Sequence, residues 1–267
     1  MMQLERQNEI SNYLKKNRKA TTNELSELLN VSATTIRTDL NRMEKENLLI
    51  KTHGGAVYRD PSSEATELTA RPYHFHDRES ENIVEKEVIA SRAVQYIKDN
   101  MCIILDASST AYTLARKLGT QNKLTVITNG IYTALELKDN PNITVILVGG
   151  IVTQQSASIE GLLGHDLLHQ IHADIAFVSA RGFSIEEGMT DFSIYEAELK
   201  KEFINRSAKC IALVDHTKFD STSISSFASP DDLNLIITDC GIDQTILDLY
   251  TSTGVPVEVA GLADGDN

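Results

Sequence analysis

The sequence predicts an α/β protein in two parts: a small N-terminal winged helix-turn-helix domain and a larger domain built on a mostly parallel sheet. Three observations predict this. Within residues 1–59, two short helical segments with capping signals are joined by Asn30-Val31-Ser32 and followed by a Gly-Gly hairpin. Beyond residue 100, short apolar runs alternate with amphipathic helical stretches, the pattern of a parallel sheet covered on both faces. Charge divides the same way: residues 1–59 carry a net +3 and residues 60–267 a net −16, in a chain of 267 residues with net charge −13. A basic head on an acidic body directs only the head at a polyanion.

In the head, residues 4–17 read as a helix with Ile10, Tyr13 and Leu14 at helical spacing. Thr21 and Glu24 form a capping-box pattern for a second helix that uses Leu25, Leu28 and Leu29 and stops at Asn30. Ser32 opens a third helix, residues 33–46, which buries Ile36, Leu40 and Met43. Its other face carries Thr34, Arg37, Thr38 and Asn41, with Thr35 in the first turn. Residues 48–59 then read as a hairpin about Gly54-Gly55, a wing bearing Lys51, His53 and Arg59. Hydroxyls, Asn and Arg suit base edges and phosphates, and wing cations suit the backbone of duplex DNA. The expected DNA contacts are Ser32, Thr34, Thr35, Arg37, Thr38, Asn41, Lys51 and His53.

Residues 60–80 have the composition of a linker, although Tyr73 to Arg78 could dock on the body. A helix is expected over 82–99, and strands over 102–105, 124–128, 143–148, 175–178, 210–214, 235–237 and 257–259. Ligands of such sheets bind beyond the strand C-termini, so the residues after each strand carry the information. Asp106-Ala107-Ser108-Ser109-Thr110 leads into a helix at 112–118, and hydroxyls at a helix start match a phosphate. Thr128-Asn129-Gly130 precedes another helix. Gly149-Gly150 admits a close backbone approach. Ser179-Ala180-Arg181-Gly182 adds a guanidinium suited to oxyanions, and Asp215-His216-Thr217-Lys218 joins a carboxylate to an ammonium.

Several classes are excluded or disfavoured. No apolar run reaches the roughly 18 residues of a membrane helix, and residues 1–8 show no secretory pattern. Cys102, Cys210 and Cys240 form no disulfide framework, which fits a reducing cytoplasm. There is no Walker motif and no G-x-G-x-x-G, and no cofactor is expected. His165, His169 and His172 have the spacing of one helix face, but Leu167, Leu168 and Ile171 supply an apolar face, so a solvated or interface surface is expected rather than zinc. His74 and His76 lack further ligands nearby.

The residues resemble a known family. Val31-Ser32-Ala33-Thr34-Thr35-Ile36-Arg37-Thr38-Asp39-Leu40 and Thr52-His53-Gly54-Gly55-Ala56 look like the N-terminal signature of DeoR-type bacterial regulators of sugar metabolism. The resemblance continues through Asp106…Thr110, Thr128-Asn129, Gly149-Gly150, Gly188-Met189-Thr190, Glu196-Ala197…Lys200 and Asp215…Lys218-Phe219. It implies a Rossmann-like sensor related to sugar-phosphate isomerases and CoA transferases, and a repressor released from operator DNA by a phosphorylated sugar. Effector residues implied by motif and strand ends together are Asp106, Ser108, Ser109, Thr110, Thr128, Asn129, Gly149, Gly150, Ser179, Arg181, Gly182, Lys200, Asp215 and Lys218. The chain departs from the family at Thr38, where a second Arg is usual, at Ser108, where Gly is usual, and at Arg181, where an acid is usual. The last reverses a charge and points to a more anionic ligand.

The expected domains are 1–59 (DNA binding), 60–80 (linker) and 81–267 (sensor). A homo-oligomer, dimer or tetramer, would place two heads on two half-sites. Two other readings stay open: an isomerase-like enzyme with Asp106 or Asp215 as base, and a protein-interaction module. Neither nucleophile–base signature nor paired carboxylates are legible for the enzyme.

Overall fold

A computed structural model describes residues 3–17, 19–45, 49–52, 54–58, 75–119, 123–153 and 156–261. The chain divides into two compact units, residues 1–71 and 72–267.

The first unit contains α1 (Gln3–Asn17), β1 (Lys19–Thr21), α2 (Thr22–Leu29), α3 (Ala33–Lys45), β2 (Leu49–Thr52) and β3 (Gly55–Tyr58). The capping box forms: Glu24 N–H donates to Thr21 Oγ1 at 3.2 Å and Thr21 N–H to Glu24 Oε2 at 2.7 Å. Asn30 ends α2 with φ 50°, the left-handed conformation that Asn tolerates. Ile10, Leu14, Leu25, Leu29, Ile36, Leu40 and Met43 close one core, whereas Leu28 is exposed rather than buried with its neighbours. Arg6 ties α1 to α3 through Asp39, with Nε–Oδ2 at 2.5 Å and Nη2–Oδ1 at 3.2 Å. The wing is three-stranded, in the order β1-β3-β2, not the simple hairpin expected. The residues before α2 pair along the free edge of β3, with the small buried Ala20 opposite Ala56.

The second unit opens with α4 (Phe75–Ser80) and α5 (Ile83–Ala93), followed by β4 (Cys102–Leu105), α6 (Ser109–Arg116), β5 (Leu124–Thr128), α7 (Ile131–Leu137) and β6 (Ile143–Leu147). A short hairpin, β7 (Ile151–Val152) and β8 (Ile159–Glu160), leads through α8 (His165–His169) to β9 (Ile175–Val178). Then come β10 (Gly182–Ser184), β11 (Gly188–Asp191), α9 (Ile194–Asn205), β12 (Cys210–Leu213), β13 (Ser225–Ala228), β14 (Leu235–Asp239), α10 (Gln244–Thr251) and β15 (Val257–Ala260).

Seven strands pair in parallel in the order β15-β14-β12-β9-β4-β5-β6. Side chains alternate between two cores. Ile103, Leu105, Phe177, Ile211 and Leu213 meet α5 and α6 on one face. Ile104, Ala176, Val178 and Ala212 meet Ala197, Leu199 and Phe203 of α9 on the other. The chain runs from β4 outward through β5 to β6, then returns to place β9 on the opposite side of β4. The crevice between the C-termini of β4 and β9 is therefore the topological switch point, where such sheets bind ligands.

Several local expectations shift. The helix expected over 82–99 ends at Ala93 and gives way to a single 3-10 turn, and Ile97 turns extended to enter the core. The helix expected at 112–118 starts at Ser109, because Ser108 caps it by accepting from Ala111 N–H at 3.1 Å. The antiparallel sheet β10-β11-β13 and the β7–β8 hairpin are additional; their short strands lack alternation to announce them. The helix carrying His165 ends at His169, so His172 does not share its face. Phe75, which opens α4 within the segment read as a linker that could dock on the body, is buried. Among the described residues, no helix is long and apolar enough to cross a membrane.

Candidate DNA-binding and effector sites

The third helix of the head presents the expected face. Ser32 caps it, accepting from Thr35 N–H at 3.1 Å, and the two hydroxyls pair at 2.8 Å. Thr34, Arg37, Thr38 and Asn41 lie exposed opposite the buried Ile36, Leu40 and Met43. Thr38 Oγ1 donates to Thr34 O at 3.1 Å, which leaves its oxygen to accept outward. Thr22 N–H donates to Gly54 O at 2.8 Å and fixes the wing turn against the start of α2. Lys51 lies on β2 opposite Ala56. The Lys51 side chain and His53 fall outside the described residues.

In the second unit, Asp106, which follows β4, is completely buried. Its carboxylate accepts from Ser108 N–H at 3.1 Å, from Ser108 Oγ and from Ser179 N–H at 2.9 Å. Asp106 thus laces the two strand ends that bound the crevice. Lys200, from α9, lies beneath. Its ammonium donates to Ser179 O at 2.8 Å and to Asp191 Oδ2 at 2.6 Å, and stands 3.0 Å from Asp106 Oδ2 and 3.8 Å from Glu196 Oε1. Burial opposes the Lys200 charge, but the three carboxylates outweigh it and raise the pKa further. Burial, followed by the charge of Asp191, pushes Glu196 up to about 8, against the pull of Lys200 and Arg78.

Around this cluster sit the remaining polar groups. Ser109 and Thr110 form the buried first turn of α6. Thr128 Oγ1 accepts from Gly130 N–H at 3.0 Å and turns the chain into α7. Asn129 donates through Nδ2 to Ile159 O at 3.1 Å. Beyond β12, Asp215 Oδ1 accepts from Asn82 Nδ2 at 3.2 Å and from Thr217. Lys218 donates to Ala180 O at 3.0 Å; burial lowers its pKa, with Arg181 and Arg78 adding like charge against Asp215. Among the described residues of this unit, the buried polar side-chain atoms without a partner are Arg78 Nε, Asn129 Oδ1, Glu196 Oε2, Asp215 Oδ2 and Thr238 Oγ1.

Residues 6–62 match the family model described as DeoR-like helix-turn-helix domain, and residues 81–240 match the DeoR C terminal sensor domain. The chain is 48% identical to the HTH-type transcriptional regulator GolR of Listeria innocua, over 97% of this chain and 100% of that one. The chain belongs to the DeoR family of transcriptional regulators. It is also 27% identical to the glycerol-3-phosphate regulon repressor of Escherichia coli K12, over 97% of this chain and 100% of that one. Ribose 5-phosphate isomerase A from Methanocaldococcus jannaschii superposes on 52% of this chain and 55% of its own, with a TM-score of 0.40 and 20% identity. These relatives are named as transcriptional regulators, and the two family models join a helix-turn-helix head to a sensor domain, so the isomerase-like enzyme yields to a regulator.

Within the DeoR sensor, the residues expected from the sequence fall into two groups. Asp106, Ser108, Ser179 and Lys200 bond mainly to one another, and Lys200 has three oxygen partners within 3.0 Å, one for each of its protons. Ser109, Thr110, Thr128, Asn129, Arg181, Asp215 and Lys218 gather at the strand ends around them. The glycines serve the backbone itself. A Cβ on Gly150 would stand 2.4 Å from Glu160 O, and one on Gly182 2.5 Å from Ser221 O, so both are required where chain segments cross. A Cβ on Gly149 meets nothing within 4 Å, so close approach gives no reason for glycine there.

Sequence reasoning did not place Arg78, Asn82 and Lys86 in this site, and it carried Glu196 only within the family motif Glu196-Ala197…Lys200. Lys86 is buried, and its ammonium donates to Arg78 O and to Glu81 O at 2.5 Å. Burial and then the Lys218 charge lower it to about 8. Its only signal in the sequence is a lysine on the inward side of a helix.

Proposed function

We propose that this DeoR-family protein represses a carbohydrate-utilisation operon and is released from operator DNA by a phosphorylated sugar. One observation carries the reading. Buried oxygens without hydrogen-bond partners (Asn129 Oδ1, Glu196 Oε2 and Asp215 Oδ2) occur in the sensor, with Asp215 in the same charge cluster as Lys218 and Arg181 and the buried first turn of α6 following β4. Acceptors of that kind suit hydroxyls, while the cations and the helix start suit a phosphate. The Escherichia coli relative, named for a glycerol-3-phosphate regulon, agrees in chemical class. On this reading Asp106, Ser108, Ser179 and Lys200 form the frame, and Ser109, Thr110, Asn129, Arg181, Asp215 and Lys218 meet the effector.

The α3 face supports major-groove reading by Arg37, Thr34, Thr38 and Asn41, with Lys51 and His53 of the wing on the backbone. Arg37→Ala is expected to weaken binding to in vitro-selected operator DNA by about 1–3 kcal/mol at matched salt. Unchanged binding would remove α3 from the groove. Two heads on two half-sites require a homo-oligomer, which the exposed Ile151, Val152 and Leu163 favour as contact surface.

The effector must prefer the sensor state whose heads misfit the operator. Titrating the operator complex with sugar phosphates and the matching neutral sugars tests this. A tenfold loss of affinity, about 1.4 kcal/mol of coupling, is expected with a phosphate only. Lys218→Ala should bind operator yet ignore that effector. Equal action by a neutral sugar refutes the anion site, and catalytic conversion of a sugar phosphate refutes the regulator-only role.

A further inference from the structure

The segment Phe75–Lys86 crosses the strand ends from one side of the crevice to the other. At one end, Phe75 stacks on Tyr132 at 4.5 Å between ring centres and meets Tyr112 edge-on at 5.4 Å. Arg78 Nη2 donates to Ser156 O at 3.1 Å, and its guanidinium lies 5.6 Å from the Phe75 ring centre. The loop bearing Ser156 is itself fastened to the end of β5: Ile131 N–H bonds Ala157 O at 3.0 Å and Ile159 N–H bonds Asn129 O at 2.8 Å. At the other end, Asn82 Nδ2 reaches Asp215 Oδ1 and Thr217 Oγ1, both at 3.2 Å, beyond β12. In the sheet order, β4 and β9 lie between β5 and β12. The segment therefore spans the switch point, and Lys86 pins its backbone from below through Arg78 O and Glu81 O.

Arg78 lies on this span. Its charge acts on Glu196, Lys86 and Lys218, groups already described in this region. Its Nε is buried and has no acceptor among the described residues, while one terminal nitrogen is held by Ser156 O. In the buried set without partners, Arg78 Nε is the nitrogen donor of the sensor, and the others are oxygens. A guanidinium that spends one terminal nitrogen on a carbonyl and keeps a buried N–H unspent is prepared for an anionic oxygen.

We infer that Arg78 is an effector-binding residue, donating from Nε to an anionic oxygen of the ligand. It is the contact supplied by the first described helix after the connector to the DNA-binding head. The inference rests on the anion-binding reading above and adds a residue outside the strand-end motifs. It also gives the ligand a hold on the described segment of the sensor nearest in sequence to the head.

Inorganic phosphate is the probe, titrated into the full-length protein against chloride at fixed ionic strength. Both affinity and the phosphate-induced rise in melting temperature are read. The parent should bind phosphate and gain stability. Arg78→Gln should lose at least tenfold in affinity and most of the rise, and Arg78→Lys, which keeps the charge but lacks Nε, should recover only part. Loss of the Ser156 bond alone lowers the melting temperature in chloride without changing the increment, so a structural role is separated from a binding one. Phosphate affinity in both variants equal to the parent overturns the inference and leaves the anion site standing. An equal loss in Lys209→Gln, an exposed cation before β12, reduces the effect to general charge and also overturns it. A parent with no phosphate-specific response defeats the anion site and Arg78 together.

Discussion

Lys200→Met should cost the sensor about 3–5 kcal/mol of unfolding free energy, the usual penalty for removing one partner from a buried ionic cluster. Asp106 and Asp191 would keep their charges with the ammonium gone from 3.0 and 2.6 Å, and Ser179 O would lose its donor. Methionine matches the stem in length, so packing changes little and the charge term dominates. Urea denaturation followed by circular dichroism measures the loss. Lys200→Met/Asp191→Asn should recover part of it, because one uncompensated anion has been neutralised. A loss below about 1 kcal/mol would show that the carboxylates are neutral in the folded protein and need no counter-charge.

Asp39→Ala should unfold the head while leaving the sensor folded. Asp39 is buried and takes both Arg6 bonds, so its removal strands a guanidinium between α1 and α3. Arg6 keeps some solvent contact, which sets the cost at about 3 kcal/mol, the lower end for a broken buried pair. A domain this small has little stability to lose. Operator binding should vanish at 37 °C while phosphate still raises the melting temperature of the sensor. Proteolysis should cleave the head first. Asp39→Asn, which keeps one acceptor, should fall between the two. Undiminished operator binding by Asp39→Ala would mean that the apolar core alone holds the recognition helix.

What the sequence discloses depends on the range of the interaction. The Thr21–Glu24 box, the Asn30 stop and the Ser32 cap are written within four residues of where they act, and all three form. The strands of the main sheet are legible as short apolar runs, and the central β9, β12 and β14 are buried along their whole length. The short β10 and β11 pair with each other as a local hairpin and β13 joins β11 from farther along the chain, and no alternation marks any of the three. The candidate site divides in the same manner. Hydroxyls and carboxylates after strands are visible as motifs, but the commitment of Lys200 to Asp106 and Ser179 is not. Arg78 lies in a segment read as able to dock, but its bond to Ser156 and that of Asn82 to Asp215 escape, because those partners lie 78 and 133 residues away.

The aromatic seat of α4 makes the molecule its own optical probe. The chain contains no tryptophan, so its near-ultraviolet emission comes from tyrosine. Tyr112 and Tyr132 grip Phe75, and the Tyr132 hydroxyl is bonded to His76 Nε2 at 3.1 Å. Lifting the helix from its seat would strip that bond and unstack the ring, changing the brightness and anisotropy of Tyr132. Movement of this helix can thus be followed in unlabelled protein, and Tyr132→Phe identifies the share of the signal that belongs to it.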